Sequence, residues 1–180
     1  MRVERDHVNA LVIDIQERLY PHIHDHKAVA DRCAMLIKGL RILDVPILVT
    51  QQYTKGLGPT IDPIAEALGE HDVHEKMTFS AAGNHDVEAR LLGSRGHQTI
   101  IMGIETHVCV MQTVQDIHAQ GRRAIVVEDC VSSRRENDKR IAIERMRNLG
   151  ATITTAESLL FELMETADHK HFKAISALVK

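Results

Sequence analysis

Thr99-Ile100-Ile101-Met102 runs directly into Gly103-Ile104-Glu105-Thr106-His107-Val108-Cys109-Val110. The first four residues read as a buried strand, and the segment after them opens a helical pattern that lasts to about Gln120 and stops at Gly121. A thiol is thus expected in the first turn of a helix, just past the C-terminal end of a strand. Unpaired backbone N–H groups and the positive end of the helix dipole favour an anion there. That setting makes a depressed thiol pKa and nucleophilic chemistry available to Cys109. Taken alone, a cysteine at such a position reads as a packing residue, since free Cys is among the most buried residue types.

Outward from this stretch, strands alternate with helices. Val8–Ile13, Val45–Thr50, Val73–Lys76, Thr99–Met102, Arg123–Glu128 and Ala151–Thr154 read as strands. Helices are expected at Ala28–Leu43, Ile61–Leu68, Asn84–Leu92 (stopped by Gly93 or Gly96), Asn137–Asn148, after Thr155 to about Met164, and His169–Val179. Gln51–Thr60 is rich in turn residues and reads as a long loop. Ser133-Arg134-Arg135-Glu136 has the spacing of a capping box. Several strands are continuous apolar runs, the mark of a parallel sheet covered on both faces. The expected fold is therefore a single α/β domain over residues 1–180. It is a three-layer α/β/α arrangement on a mostly parallel six-stranded sheet, Rossmann-like, in strand order 3-2-1-4-5-6. Ligands of such folds bind outside the C-terminal ends of the strands.

Composition narrows the function classes. The 180 residues are 44% hydrophobic and 26% charged, as in an ordinary globular protein. Aromatics make up 3% with no Trp, which leaves no stacking platform for single-stranded nucleic acid. The net charge of −3 offers no basic footprint for a polyanion. No apolar run approaches a membrane span, and the charged start Met1–His7 does not read as a signal peptide. Cys33, Cys109 and Cys130 are odd in number and lack metal-ligand spacing, so they read as reduced thiols of a cytoplasmic protein.

Asp14 ends the first strand, Lys76 ends the third, and Cys109 follows the fourth, so all three fall on one rim of the sheet. A carboxylate beside a thiol can take its proton, and a nearby lysine favours both ionised forms. Separately, each residue is more often structural than catalytic. Together they are the parts of a covalent hydrolase.

Four segments, in this order and spacing, resemble the isochorismatase-like cysteine hydrolases: Leu11-Val12-Ile13-Asp14-Ile15-Gln16, Glu75-Lys76-Met77-Thr78-Phe79-Ser80, Gly103–Val110, and Val127-Glu128-Asp129-Cys130-Val131-Ser132-Ser133. The likeness extends from about Val8 to Thr155, and the loop Gln52–Gly58 is most similar to the isochorismatase domain-containing branch. The resemblance implies a triad of Asp14, Lys76 and Cys109. It also implies a cis peptide between Ile104 and Glu105 that turns the Glu105 N–H toward that of Cys109 as an oxyanion hole. It further implies cleavage of a small amide or related C–N bond through a thioester, and a homodimer or higher homo-oligomer.

Nicotinamidases of this family bind a metal just after the second strand, where this chain has Gln51, Gln52 and Tyr53. Gln is a poor zinc ligand, so no metal and no cofactor are expected, and a metal-dependent nicotinamidase becomes an alternative. Another is a non-catalytic or regulatory protein that uses the pocket or thiol for binding. His22, His24 and His26 read as solvated loop residues. Position on the rim suggests Gln16, Tyr20, Gln52, Phe79 and His107 as contacts for a small-molecule substrate. Phe161, Leu163, Met164, Phe172, Ile175 and Leu178 near the C-terminus either supply a subunit interface or cover the sheet, and the sequence leaves both open.

Overall fold

The apolar runs become the strands of one sheet. In the computed structural model, which describes residues 2–93 and 97–180, β1 (Val8–Ile13) is buried along its whole length. It is followed by α1 (His26–Ile42), β2 (Ile47–Gln52), a single helical turn α2 (Thr54–Leu57), α3 (Asp62–Leu68) and β3 (Val73–Lys76). Next come α4 (His85–Gly93), β4 (Gln98–Ile104), α5 (Met111–Ala119), β5 (Arg123–Ser132), α6 (Glu136–Leu149), β6 (Thr152–Thr154), α7 (Ala156–Met164) and α8 (Phe172–Leu178). The six strands lie in the expected order, β3-β2-β1-β4-β5-β6, and every pairing is parallel. Of the two expected stops for α4, Gly96 lies outside the described residues. Among the described residues, no helix is long and apolar enough to cross a membrane.

Strand side chains alternate between faces, so β1 feeds two cores. Ala10 and Val12 pack with α1, α3, α7 and α8, while Leu11 and Ile13 pack with α4, α5 and α6. The C-terminal helices cover the sheet: Leu159, Leu160, Leu163, Met164 and Ile175 are buried in the first core.

The departures from expectation lie on the functional rim. β2 runs on through Gln51 and Gln52, and α2 occupies part of the expected loop. β4 continues through Gly103 and Ile104. Gly103 has φ 126° and pairs with Ile13; a Cβ there would stand 2.1 Å from the Ile13 carbonyl oxygen. Glycine is required at this close approach. Gly103→Ala is expected to lower stability by about 3 kcal/mol, because the methyl meets backbone that cannot swing aside. Denaturant midpoints test this, and a loss under about 1 kcal/mol would contradict it.

β5 also overruns its expected end at Glu128, continuing to Ser132. While β4 advances two residues, from Ile101 to Gly103, β5 advances five, from Val126 to Val131. The surplus is odd, so the inside–outside alternation flips: Ile125 and Val127 face the first core, then Cys130 does, and Val131 faces the second. This irregularity brings Ser132 beside Ile104. The capping box does not form, because α6 starts at Glu136 behind Arg135 without a side-chain cap. Likewise, Thr155 does not cap α7 with its side chain; Asp129 accepts the Ala156 N–H at 2.9 Å. α8 begins at Phe172, later than the spacing suggested.

Candidate active site

Asp14 follows β1 with φ 53° and is fully buried. Thr50 Oγ1 donates to its Oδ1 at 2.8 Å, and Lys76 Nζ lies 2.6 Å from its Oδ2. Lys76, at the end of β3, is buried too. Its ammonium also donates to Gln52 Oε1 (2.7 Å), the Thr78 carbonyl (3.1 Å) and the Phe79 carbonyl (3.0 Å). A buried cation needs such a complete set of partners, since an unpaired one would be strongly destabilising.

Cys109 lies not in the first turn of an α-helix but in a wider π-helical turn, Thr106–Val110, where the Val110 N–H reaches back to the Glu105 carbonyl at 3.2 Å. Such turns recur at functional sites. Thr113 Oγ1 donates to the Cys109 carbonyl at 2.6 Å and accepts the Ala81 N–H at 2.9 Å, which ties the turn to the loop after β3. The residue is only 5% exposed. Asp14, Lys76 and the Glu105 N–H all act electrostatically on its thiol. The Ile104–Glu105 peptide is cis.

The thiol is not depressed, contrary to its expected placement at a helix start. Burial, then the Asp14 charge, push it up to about 12, while Lys76 and the Glu105 N–H pull the other way. Burial also raises the Asp14 carboxyl, against the pull of Lys76 and of hydrogen bonds from Lys76, Thr50 and Cys109. One buried cation and one buried anion already balance; a thiolate would add a second negative charge in a low-dielectric site. The resting pair is a protonated thiol beside its base.

The other suggested residues fall into place unevenly. Gln52 bridges Lys76 and the Met77 carbonyl, so it positions the ammonium. Gln16 is fully buried, and its amide donates to the carbonyls of Gln52 and Gly58 and accepts the Gln52 N–H. Tyr20 packs edge-on against His26. Phe79 offers its carbonyl to Lys76 while its side chain stays exposed. His107 Nδ1 lies 2.9 Å from Ser133 Oγ, which occupies the serine expected to cap α6. The buried Glu105 carboxylate accepts the Arg134 N–H (3.1 Å) and Nε (3.0 Å). Sequence reasoning missed Thr50, Thr113 and Arg134. Thr50 alone carried a signal, as a polar residue in a buried strand beside the one that ends in Asp14.

The amides at the nicotinamidase metal positions do not fit a metal. Gln51 donates to Thr60 Oγ1 (3.0 Å) and accepts from Thr54 Oγ1 (3.1 Å), and Gln52 is committed to Lys76 and Met77. Among the described residues, no three His, Cys, Asp or Glu side chains cluster to hold an ion.

The family model described as the isochorismatase domain matches residues 10–158. Isochorismatase domain-containing protein 2A of Mus musculus is 38% identical over 169 residues, covering 93% of this chain and 80% of its own. Isochorismatase family protein 1B of Dictyostelium discoideum is 36% identical over 173 residues, covering 94% and 84%. A solved structure named MAR1 ribonuclease, from Caenorhabditis elegans, superposes with a TM-score of 0.94 at 34% identity, covering 99% of this chain and 92% of that one. With its parallel sheet in the order β3-β2-β1-β4-β5-β6, this chain belongs to the isochorismatase family.

Proposed function

We propose that the chain is a cysteine hydrolase that cleaves a small amide or related C–N bond through a thioester on Cys109. The observation that supports it most is the buried Asp14 carboxylate, shared between the Lys76 ammonium and the Cys109 thiol. A binding module has no use for that expensive arrangement.

In this reading, Cys109 gives its proton to Asp14 as the sulfur attacks the carbonyl carbon. The oxyanion is held by the N–H groups of Glu105 and Cys109. Collapse breaks the C–N bond, and Asp14 returns the proton to the leaving amine. Water then attacks the thioester with Asp14 again as base, and the sulfur leaves with a proton. Lys76, 2.6 Å from Asp14, opposes the burial that raises the Asp14 carboxyl. Gln52, Thr78 and Phe79 hold Lys76 in place. The test is intact-mass analysis after incubation with a panel of small amides, where an acyl adduct on Cys109 is the expected result.

A second reading, ribonuclease, comes from the name of the C. elegans relative and from the arginines of α6. It requires RNA cleavage that survives alkylation of Cys109, whereas amide cleavage should not survive it.

A further inference from the structure

The rim of the sheet opposite Asp14 and Cys109 carries a second concavity. A cavity of about 870 Å³ lies at the N-terminal ends of β1 and β2, within the size range of sites that hold small molecules. β1 is six residues long, so about 20 Å of strand separates this cavity from Asp14. The short β3 leaves room for it. That strand pairs only with residues 49–52, so Ile47 and Leu48 at the start of β2 have no strand beside them on that edge. Both are half-buried.

The cavity has an apolar part, made by Val8, Leu43, Pro46 and Leu48. It also has a charged part, in which Arg5, Arg90 and Lys170 stand with the carboxylates of Asp6 and Asp44. Asp6 pairs with Arg5 at 3.6 Å, and Arg5 also lies 3.1 Å from His169 Nε2. Arg90 acts on His74, as Asp72 and Asp86 do in the opposite sense, while Asp86 itself pairs with His85. Glu4 pairs with His7. Among the described residues, neither Arg90 nor Lys170 is in an ion pair, and Lys170 makes none with nearby Asp168. Once Arg5 and Asp6 have offset each other, two cations remain in the lining against Asp44. Exposed lysines and arginines are ordinary on a surface. Here one comes from α4 and the other from the turn before α8, and both line one concavity with an apolar part.

We propose that this cavity binds a small organic anion, a carboxylate on an apolar body. The body covers Val8, Leu43, Pro46 and Leu48 and removes their surface from water. The carboxylate meets the cationic part of the lining, where charge-assisted hydrogen bonds are available to it. Asp44 would attract a cation, but the two unpaired cations outweigh it. The inference stands on the cavity and its lining and does not depend on the reaction at Cys109.

Titration of the full chain with anilinonaphthalene sulfonate, an apolar anion whose emission rises on leaving water, tests it. Emission should saturate at one probe per chain and stay unchanged after Cys109 has been alkylated. Sodium octanoate should displace the probe, and octanol at the same concentration should not. Arg90→Glu and Lys170→Glu should each weaken the probe about tenfold or more, the scale of one lost hydrogen bond to a charged group. Arg135→Glu, on the catalytic side, should leave it unchanged. Arg90, Arg135 and Lys170 are all exposed, and circular dichroism would verify that the variants stay folded. Emission that does not saturate, displacement by octanol, or Arg90 and Lys170 variants that bind as the wild type does would each overturn the proposal. So would loss of the probe on alkylation of Cys109 or in Arg135→Glu, either of which would place the probe on the catalytic rim.

Discussion

Cys109→Ala is expected to lower turnover of a true substrate by roughly 10⁴-fold or more while the protein stays folded. The substitution removes one sulfur from a site whose remaining contacts do not depend on it. Asp14 keeps Lys76 and Thr50, and the turn keeps the Thr113 bond to the residue 109 carbonyl. Loss of rate without loss of fold separates a nucleophile from a packing residue, the two readings that a buried cysteine always offers. Substrate release assays and a denaturation curve on the same preparation check it. Turnover within tenfold of wild type would remove Cys109 from the chemistry.

Asp14→Asn should act in opposite directions on two measurements. Turnover should fall roughly 10²–10⁴-fold, the usual contribution of a positioned general base. Alkylation of the Cys109 thiol at fixed pH should rise. The sign follows from the charges: the Asp14 carboxylate disfavours a neighbouring thiolate and Lys76 favours it. Removing the carboxylate takes away the opposing charge, leaves the lysine, and lowers the thiol pKa from about 12. Each unit of that fall is about tenfold more thiolate in the range below the pKa. In the wild type, the alkylation rate should climb with pH through 9 without a plateau, since the thiol is still mostly protonated there. A wild-type plateau near pH 7, or slower alkylation in Asp14→Asn, would show that Asp14 activates the resting thiolate instead of waiting for substrate.

The layered fold was legible because buried parallel strands appear as unbroken apolar runs, and because strand ends place Asp14, Lys76 and Cys109 on one rim. What stayed hidden was local and electrostatic. The carbonyls of Thr78 and Phe79 that hold Lys76 belong to the backbone and leave no mark in side-chain identity. The shift in β5 that carries Ser132 to Ile104 depends on pairing register, which periodicity does not report. Ser133 has the spacing of a cap, yet it bonds His107, a partner 26 positions away in sequence. Gln16 has the position of a pocket residue, yet its amide is consumed by the chain around Gln52 and Gly58. The balance of forces on the Cys109 thiol was hidden too. A helix start argues for a lower pKa, but burial and the Asp14 carboxylate outweigh it.

The most direct measurement is the intact mass of protein quenched during turnover of a small amide. The expected result is a gain equal to the acyl part of the substrate, confined to the peptide that carries Cys109 and absent from Cys109→Ala. Full turnover with no adduct on Cys109, unchanged after that thiol has been alkylated, would contradict a thioester route.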